Sequence, residues 1–547
     1  MEFSYTHRYL TGKAKVFQRL FEIVPGAISW LSLIAMAALS FSKPLVAAVL
    51  IIAFDLYWIL RLFYLNIFLF FSYMRLSIER KASWLARIKS IDALYQDRHM
   101  HVRRGMKGFT IGERISLLIH QRELEALRES NSRPPLSDEI YQLVIVPIVR
   151  ESREIVEAGI QSFISGSFPA KRIIVILALE ERAENKIKAS INDLANEYCA
   201  KFFDCLVTVH PDGLAAEARV KGANATYAAV YAATYLKEKK IPFEHVIVSC
   251  FDADTVASPE YFSCLTYYYM VTPNRTRASF QPIPVYHNNI WEAPNFARVL
   301  DIGSSFFQLV EATNPEKLVT FSSHSMSFKA LVDIGYWPID IISDDSAIFW
   351  KAFIHFDGEY AVVPVYVTVS MDITVGKGRW QTLINVYKQK RRWAWGIENF
   401  PIIMRAFLKA KNISVYKKLK HSVKLLEGHI SWATWPFILT IISWLPALFA
   451  EREFVNSIVY FSTARIRGTI FSLAFIALLN CIFLSILLLP KEKVRFYTLK
   501  KLGHALEWVL IPLISVFLSA IPALDAQTRL MFGKYMEFWV SAKKRKL

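Results

Sequence analysis

The sequence predicts an α/β domain, a parallel sheet wrapped by helices, inserted between N- and C-terminal transmembrane α-helices. Two patterns carry that reading. Apolar residues make up 54% of the 547 and gather in long runs at the two ends, while the middle alternates short β-branched runs with helical stretches. With a mean hydropathy of +0.28, the chain is not an ordinary soluble enzyme.

Residues 1–22 are mostly polar and read as a cytosolic segment. Apolar runs from about Ile23 to Phe41 and from about Leu45 to Phe71 follow, split by Ser42, Lys43 and Pro44. Each is as long as the ~18–20 residues that cross a bilayer, so 23–72 reads as a transmembrane hairpin. A cleaved signal peptide does not fit, because the apolar core is too long and a second span follows at once. Residues 73–137 are a basic linker with Arg75, Arg80, Lys81, Arg87, Lys89, Arg98, Arg103, Arg104 and Lys107. Lys409, Lys411, Lys417, Lys418, Lys420 and Lys424 precede the next apolar block. Lysine and arginine beside spans mark the cytosolic side, which puts the central domain in the cytosol and its flanks against anionic lipid of the plasma (inner) membrane. That placement assigns the net charge of +18 to the bilayer and excludes nucleic acid as a partner. Cys199, Cys205, Cys250, Cys264 and Cys481 lack metal-ligand spacing and read as core residues of a reducing compartment.

Residues 138–375 hold the alternating pattern. "YQLVIVPIV", "RIIVILAL", "CLVTVHP" and "HVIVSCFD" are strand-like, and Glu151 to Phe163, Glu181 to Tyr198 and Glu217 to Lys240 are helical. Ligands of such sheets bind beyond the carboxyl ends of the strands. Asp252 and Asp254 stand at such an end, two apart on an extended chain, so both carboxylates point the same way. Oxygen ligands suit Mg²⁺ or Mn²⁺, with substrate phosphates completing the shell. The competing reading is a solvated acidic turn. Ser343, Asp344 and Asp345 precede an apolar helical run, where ordinary capping is the alternative to chemistry. Gln389, Arg392 and Trp393 follow in residues 376–428, read as amphipathic interface helices; alone, this basic stretch resembles a membrane-surface helix.

Residues 429–526 contain three more apolar runs, about His429 to Phe449, Ile470 to Leu489 and Trp508 to Leu524. Five spans would leave the lysine-rich tail, 527–547, on the wrong side. An even number, six, is therefore expected, either because Phe454 to Ser462 joins another crossing or because the segment with Pro512 and Pro522 turns back. Asp55 and Arg61 inside the second span face a polar pathway, or Arg61 snorkels to the interface.

"DAD", "SDD" and "QKRRW", in this order, resemble the DxD, TED and Q(Q/R)xRW signatures of membrane-embedded family 2 glycosyltransferases, the group of cellulose, chitin and hyaluronan synthases. The resemblance runs from about Gln142 to Gly396. It implies a GT-A type (Rossmann-like) fold, a nucleotide-diphosphate sugar donor and inversion at the anomeric carbon. Asp252 would face the nucleotide sugar and, with Asp254, hold the Mg²⁺ or Mn²⁺ that bridges to the diphosphate. Asp345 would be the general base, with Asp344 beside it. Gln389 and Arg392 would bind the donor, and Trp393 would carry the acceptor at the mouth of a transmembrane channel. Glu151 in "VPIVRES", Glu180 and Glu181 in "LALEER", Lys221 and Asn224 match nucleotide-pocket positions. Val149 stands where the family has tyrosine and Glu180 where it has aspartate, which weakens the case for uridine. His324 in "FSSHSMSF" occupies the acceptor-side loop, without the family's glycine. "FWVSAK" resembles the FxVTxK gating loop, giving Phe538, Val540, Ser541 and Lys543, with an interfacial anchor as the alternative.

The function implied is a synthase that polymerises a UDP-type sugar and passes the polysaccharide across the membrane. A single transfer to a membrane lipid acceptor is the alternative, and an inactive transporter or scaffold is the second. Oligomeric state is left open.

Overall fold

The computed structural model describes residues 3, 5–96, 109–130, 132–449, 458–490 and 497–539. Its centre is a sheet of β1 (Tyr141–Ile148), β2 (Ile173–Glu180), β3 (Asp204–His210), β4 (Val246–Cys250), β5 (Val256–Ala257), β6 (Ala278–Val285), β7 (Ser325–Ser327) and β8 (Ala361–Ser370). The order is β3-β2-β1-β4-β7-β6-β8-β5. β1 to β4 pair in parallel, as the sequence predicts. Beyond β4 the all-parallel expectation is corrected: β7 is antiparallel to β4 and β6, and β5 is antiparallel to β8. These strands carry little of the signal that marks buried parallel strands. β7 is three residues of serine and methionine, and β6 holds Pro282 and Pro284 with a register shift at Pro282/Ile283.

Alternation along β1 and β2 feeds two cores. Val144, Val146 and Ile148 pack with the helices Arg153–Ile164 and Asn185–Cys199, while Leu143 and Ile145 face the other layer. In that second layer the helix Lys221–Glu238 lies close to the sheet, because Ala225, Ala228, Ala229 and Ala232 form its buried stripe. Gly222 permits the closest approach, since a Cβ there would collide with the Pro338 carbonyl oxygen and press on Asp344. The order of β1 and β4 reverses the winding at their seam, which places a crevice at their carboxyl ends.

Five helices among the described residues are long and apolar enough to cross a membrane: Gly12–Ser42, Pro44–Glu79, Val415–Leu448, Gly468–Leu488 and Leu499–Met531. The third starts at Val415 and runs unbroken through 428, so the expected interface helices end earlier, with Asn399–Lys409. Its lysines do not simply meet lipid. Lys417 pairs with Glu359 at 2.5 Å, Lys420 with Glu316 at 2.8 Å, and Lys424 with Glu311, clamping the span to the α/β domain. Arg61 is ion-paired with Glu427 of the third span and meets the Tyr57 hydroxyl at 2.9 Å.

Among the described residues five helices, not six, are long and apolar enough to cross a membrane. Ile458 to Ser462 simply open the helix Ile458–Leu488 and add no crossing of their own, and 454–457 lie outside the described residues. Leu499–Met531 is broken by a π-helical turn, Ser515–Ala520, between Pro512 and Pro522. Near its start Glu507 sits 3.6 Å from Arg298 of the α/β domain. At its end the Leu530 and Met531 carbonyls accept from Arg19 at 3.1 and 2.9 Å. Arg19 belongs to the end of the first helix that also meets the helix Asn399–Lys409, where Arg405 donates to Gln18 at 3.3 Å.

Candidate active site

Four chain segments converge at the crevice. Asp252 and Asp254 leave β4, Lys221 opens the helix Lys221–Glu238, Ser322 and His324 lie in the loop before β7, and Asp344 and Asp345 open the helix Asp344–His355. Lys221 Nζ bridges Asp252 Oδ1 at 2.8 Å and Asp345 Oδ1 at 2.9 Å. The DxD and SDD motifs therefore share one cation. Burial by itself disfavours the ammonium, but Asp252 and Asp345 outweigh it and hold Lys221 well above the usual lysine range.

Each carboxylate has its own support. Ser322 Oγ donates to Asp252 Oδ2 at 2.5 Å. Its neighbour Ser323 adopts a left-handed φ of 60°, rare for a residue with a Cβ, and its hydroxyl meets Thr255 Oγ1 at 2.8 Å. The buried Asp254 accepts from the Asp372 backbone N–H at 2.8 Å, and Asn288 Nδ2 links the Asp254 carbonyl to the Asp372 carboxylate at 2.9 Å each. Asp344 is buried, and burial followed by Asp345 pushes its carboxyl up to about 8. His324 is enclosed beside Asp345, 3.9 Å away, and burial drives its imidazole down to about 4, so it stays neutral.

Ordinary capping does not explain the SDD turn. Ser343 makes no side-chain cap to its helix. Its hydroxyl and N–H instead donate to Glu398 Oε1 at 2.7 and 3.0 Å, and Trp395 Nε1 donates to Glu398 Oε2 at 2.8 Å. Glu398 follows the helix Arg379–Ala394, so one buried carboxyl joins the SDD turn to the QKRRW helix. Burial raises it to about 7.

On that helix, Trp393 packs edge to face on Phe321, 5.7 Å between centroids, and lies 6.3 Å from Tyr286. The Lys390 ammonium sits 3.6 Å from the Trp393 centroid, held by Asp301 at 2.8 Å and Ser304 at 3.0 Å. Arg392 lies 5.0 Å over the Phe538 ring. Val540, Ser541 and Lys543 lie outside the described residues.

Of the residues expected to contact the nucleotide, Lys221 joins this cluster, while the others close on different partners. Glu151 folds back to accept from the Val149 and Arg150 N–H groups at 2.8 and 3.0 Å. Glu180 pairs with Arg182, and Glu181 accepts from the Asp212 N–H at 2.9 Å. Glu180, His210, Asp212, Glu217 and Arg219 line a cavity of about 130 Å³ beyond β2 and β3. Asn224 is buried and donates to the Ala178 carbonyl at 2.7 Å.

Several buried polar atoms around the crevice have no hydrogen-bond partner among the described residues: Asp344 Oδ2, Gln389 Oε1, Arg392 Nε, Tyr286 Oη and His324 Nε2. Buried polar groups in proteins are nearly always satisfied, so these are suited to a polar ligand. Among the described residues no group of three His, Cys, Asp or Glu side chains could hold a metal ion alone. Asp252 and Asp254 offer oxygen donors only, the ligand type that Mg²⁺ and Mn²⁺ take. Sequence reading missed Ser322, Tyr286, Asn288, Asp372 and Glu398. Only Glu398 had a signal, a carboxylate within the apolar "WAWGIENF".

Residues 247–489 match the model described as "Glycosyl transferase family group 2". Over 295 residues the chain is 26% identical to the poly-beta-1,6-N-acetyl-D-glucosamine synthase of Staphylococcus epidermidis, covering 52% of this chain and 60% of that one. A second such synthase is 32% identical over 114 residues, 20% of this chain and 23% of that one. The chain thus spans less than two thirds of the length of either synthase. Among solved structures, a mannosyltransferase of Pyrobaculum calidifontis in complex with GDP-Man and Mn²⁺ aligns over 79% of this chain and 99% of its own, with TM-score 0.39 and 14% identity. The S. aureus TarS 1–349 complex with UDP aligns over 74% and 95%, with TM-score 0.34 and 11% identity. Residues 247–489 are thus similar to family group 2 glycosyl transferases. The chain's centre is a mixed α/β domain, flanked at both ends by helices long and apolar enough to cross a membrane.

Proposed function

We infer that this protein is an inverting polysaccharide synthase that draws on a nucleotide-diphosphate sugar, of UDP type, at the cytosolic face and passes its product across the membrane. The observation that carries the reading is the Lys221 bridge, which brings the donor-side Asp252 and the acceptor-side Asp345 within reach of one ammonium. The likeness to the synthases of Staphylococcus epidermidis supports a polymer as product.

Asp345 accepts the proton of the acceptor hydroxyl as that oxygen attacks the anomeric carbon. A carboxylate is a weak base toward an alcohol, so proton transfer accompanies attack. Negative charge then grows on the departing diphosphate. Lys221 and Arg392 are the cations placed to meet it, Arg392 with the two parallel N–H groups that suit phosphate oxygens. A divalent ion on Asp252 and Asp254 would add its own charge stabilisation there when bound. Asp344, neutral near pH 7 through its raised carboxyl, donates a hydrogen bond rather than competing as a base. Trp393 is a flat platform for the acceptor sugar, its Lys390 side already taken.

The test is release of nucleoside diphosphate by detergent-purified protein, screened over UDP-glucose, UDP-N-acetylglucosamine, UDP-glucuronate and GDP-mannose with Mg²⁺ or Mn²⁺, with products sized on a gel. Turnover with a high-mass product is expected. A single-sugar lipid as the only product would replace this reading with lipid glycosylation, and donor-independent silence would favour a scaffold.

A further inference from the structure

The helix that carries Gln389, Arg392 and Trp393 has a second face. Between it and the broken C-terminal segment lies a groove of about 640 Å³, walled by Leu383, Ile384, Leu510, Leu513, Phe517 and Ile521. That size falls within the ~300–1,000 Å³ of pockets that hold whole ligands. Leu513 and Phe517 are 59% and 57% exposed, so no described element covers them. One wall belongs to a membrane segment and the other to an interface helix, which sets the groove at the boundary of bilayer and cytosol.

The groove's polarity is one-sided. Lys388 and Arg391 line its cytosolic rim, and Arg529 stands behind them. A single carboxylate, Asp525, faces these three cations among the described residues, bonded to Arg391 and Arg529 at 2.8 Å each and to the Tyr387 hydroxyl at 3.1 Å. Among those residues Lys388 has no carboxylate on it; it lies 5.6 Å from the Trp539 ring. Apolar walls with an excess of cations at one end match an amphiphile with acyl chains and an anionic head.

We propose that the groove between the QKRRW helix and the C-terminal segment is a binding site for one anionic glycerophospholipid of the bilayer, acyl chain on Leu513 and Phe517, phosphate on Lys388 and Arg391. The lipid acts as a positioning ligand. Lys388 is the residue before Gln389, and Arg391 the one before Arg392, so the headgroup sets the seat of the helix whose opposite face meets donor and acceptor. A zwitterionic lipid leaves the cations unanswered, and a soluble partner meets no polar wall.

The probe is the full-length protein reconstituted in nanodiscs of equal phosphatidylcholine and phosphatidylglycerol, moved into detergent and weighed by native mass spectrometry. The mass reads bound lipid directly, whether or not any sugar donor turns over, so its outcome is separate from that of the proposed function. One phosphatidylglycerol per chain is expected, favoured at least about fivefold over phosphatidylcholine, the ratio one basic residue confers near an anionic lipid. Leu513→Trp fills the groove from an exposed position and should cut occupancy by at least about fivefold; Lys388→Gln should erase most of the headgroup preference while leaving acyl binding. Equal retention of the two lipids, retention unchanged in both variants, no retained lipid, a glycan-bearing lipid in its place, or a groove closed by a second chain in a dimer would each overturn the proposal.

Discussion

Acidic residues on the two sides of the β1 and β4 seam are held in opposite ways. At the carboxyl ends of β1 and β2, Glu151 closes on N–H groups one and two residues away and Glu180 on Arg182, so each is satisfied within its own turn. At the end of β4, Asp252 draws Ser322 from 70 residues away, and Lys221 reaches on to Asp345, 124 residues distant. Locally closed residues keep their geometry whatever happens elsewhere. Residues that close on one another across the fold lose several partners when one is removed, and an uncompensated buried charge is costly. The two sides should therefore respond very differently to substitution.

The largest effect is expected for Asp345→Asn. Removing a general base costs about 10²–10⁴-fold, so nucleoside diphosphate release should fall by roughly 10³-fold with the melting temperature unchanged. Residual activity near wild type would remove Asp345 from the base role. Next comes Lys221→Met, which leaves Asp252 and Asp345 as facing like charges and strips a cation from the donor; turnover should drop about 10²-fold, and rescue by Lys221→Arg would show that charge rather than length matters. Glu398→Gln is expected to cost ~1–3 kcal/mol of stability by disturbing three buried hydrogen bonds. It also carries a pH signature. The Glu398 carboxyl, raised from 4.5 to about 7, keeps in the fold a proton that the unfolded chain gives up. Its contribution is complete below pH 4.5 and is lost as pH rises through 7. Thermal melts of Glu398→Gln should accordingly decline less steeply than wild type over that window. Smallest is Glu180→Gln on the locally closed side, with donor affinity changed by less than about tenfold, a factor worth ~1.4 kcal/mol; a larger loss would show that this side also contacts the donor tightly.

The same contrast explains what could be read from the sequence. β1, β2 and β4 are almost wholly buried and, with the edge strand β3, appear as short apolar runs, which made the parallel half legible. β5 and β7 are two and three residues long, and β6 is interrupted by prolines, so these three left little periodic trace. Asp252, Asp254, Asp344, Asp345 and the QKRRW residues stood out by short-range spacing and family likeness. Glu398 showed only as a carboxylate in an apolar run; its link to Ser343, 55 residues away, did not show at all. Asp372 reaches Asp254 across 118 residues and was equally invisible. Even Lys221, singled out as a nucleotide contact, gave no hint that it would join two motifs.

The clasp between the first helix and the end of the C-terminal segment bears on how the molecule is made. Arg19 meets the Leu530 carbonyl across 511 residues of chain, and Tyr535 donates to the buried Glu22 at 2.8 Å. A ribosome adding ~5–20 residues per second needs roughly 25–100 s to cover that interval. For all that time the first hairpin sits in the bilayer with Glu22 lacking a partner it will keep for life, while the α/β domain is already out and folding. A chain halted before Tyr535 leaves the Glu22 carboxylate with only its neighbours Gln18 and Arg19, so this clasp is among the last contacts that synthesis makes possible.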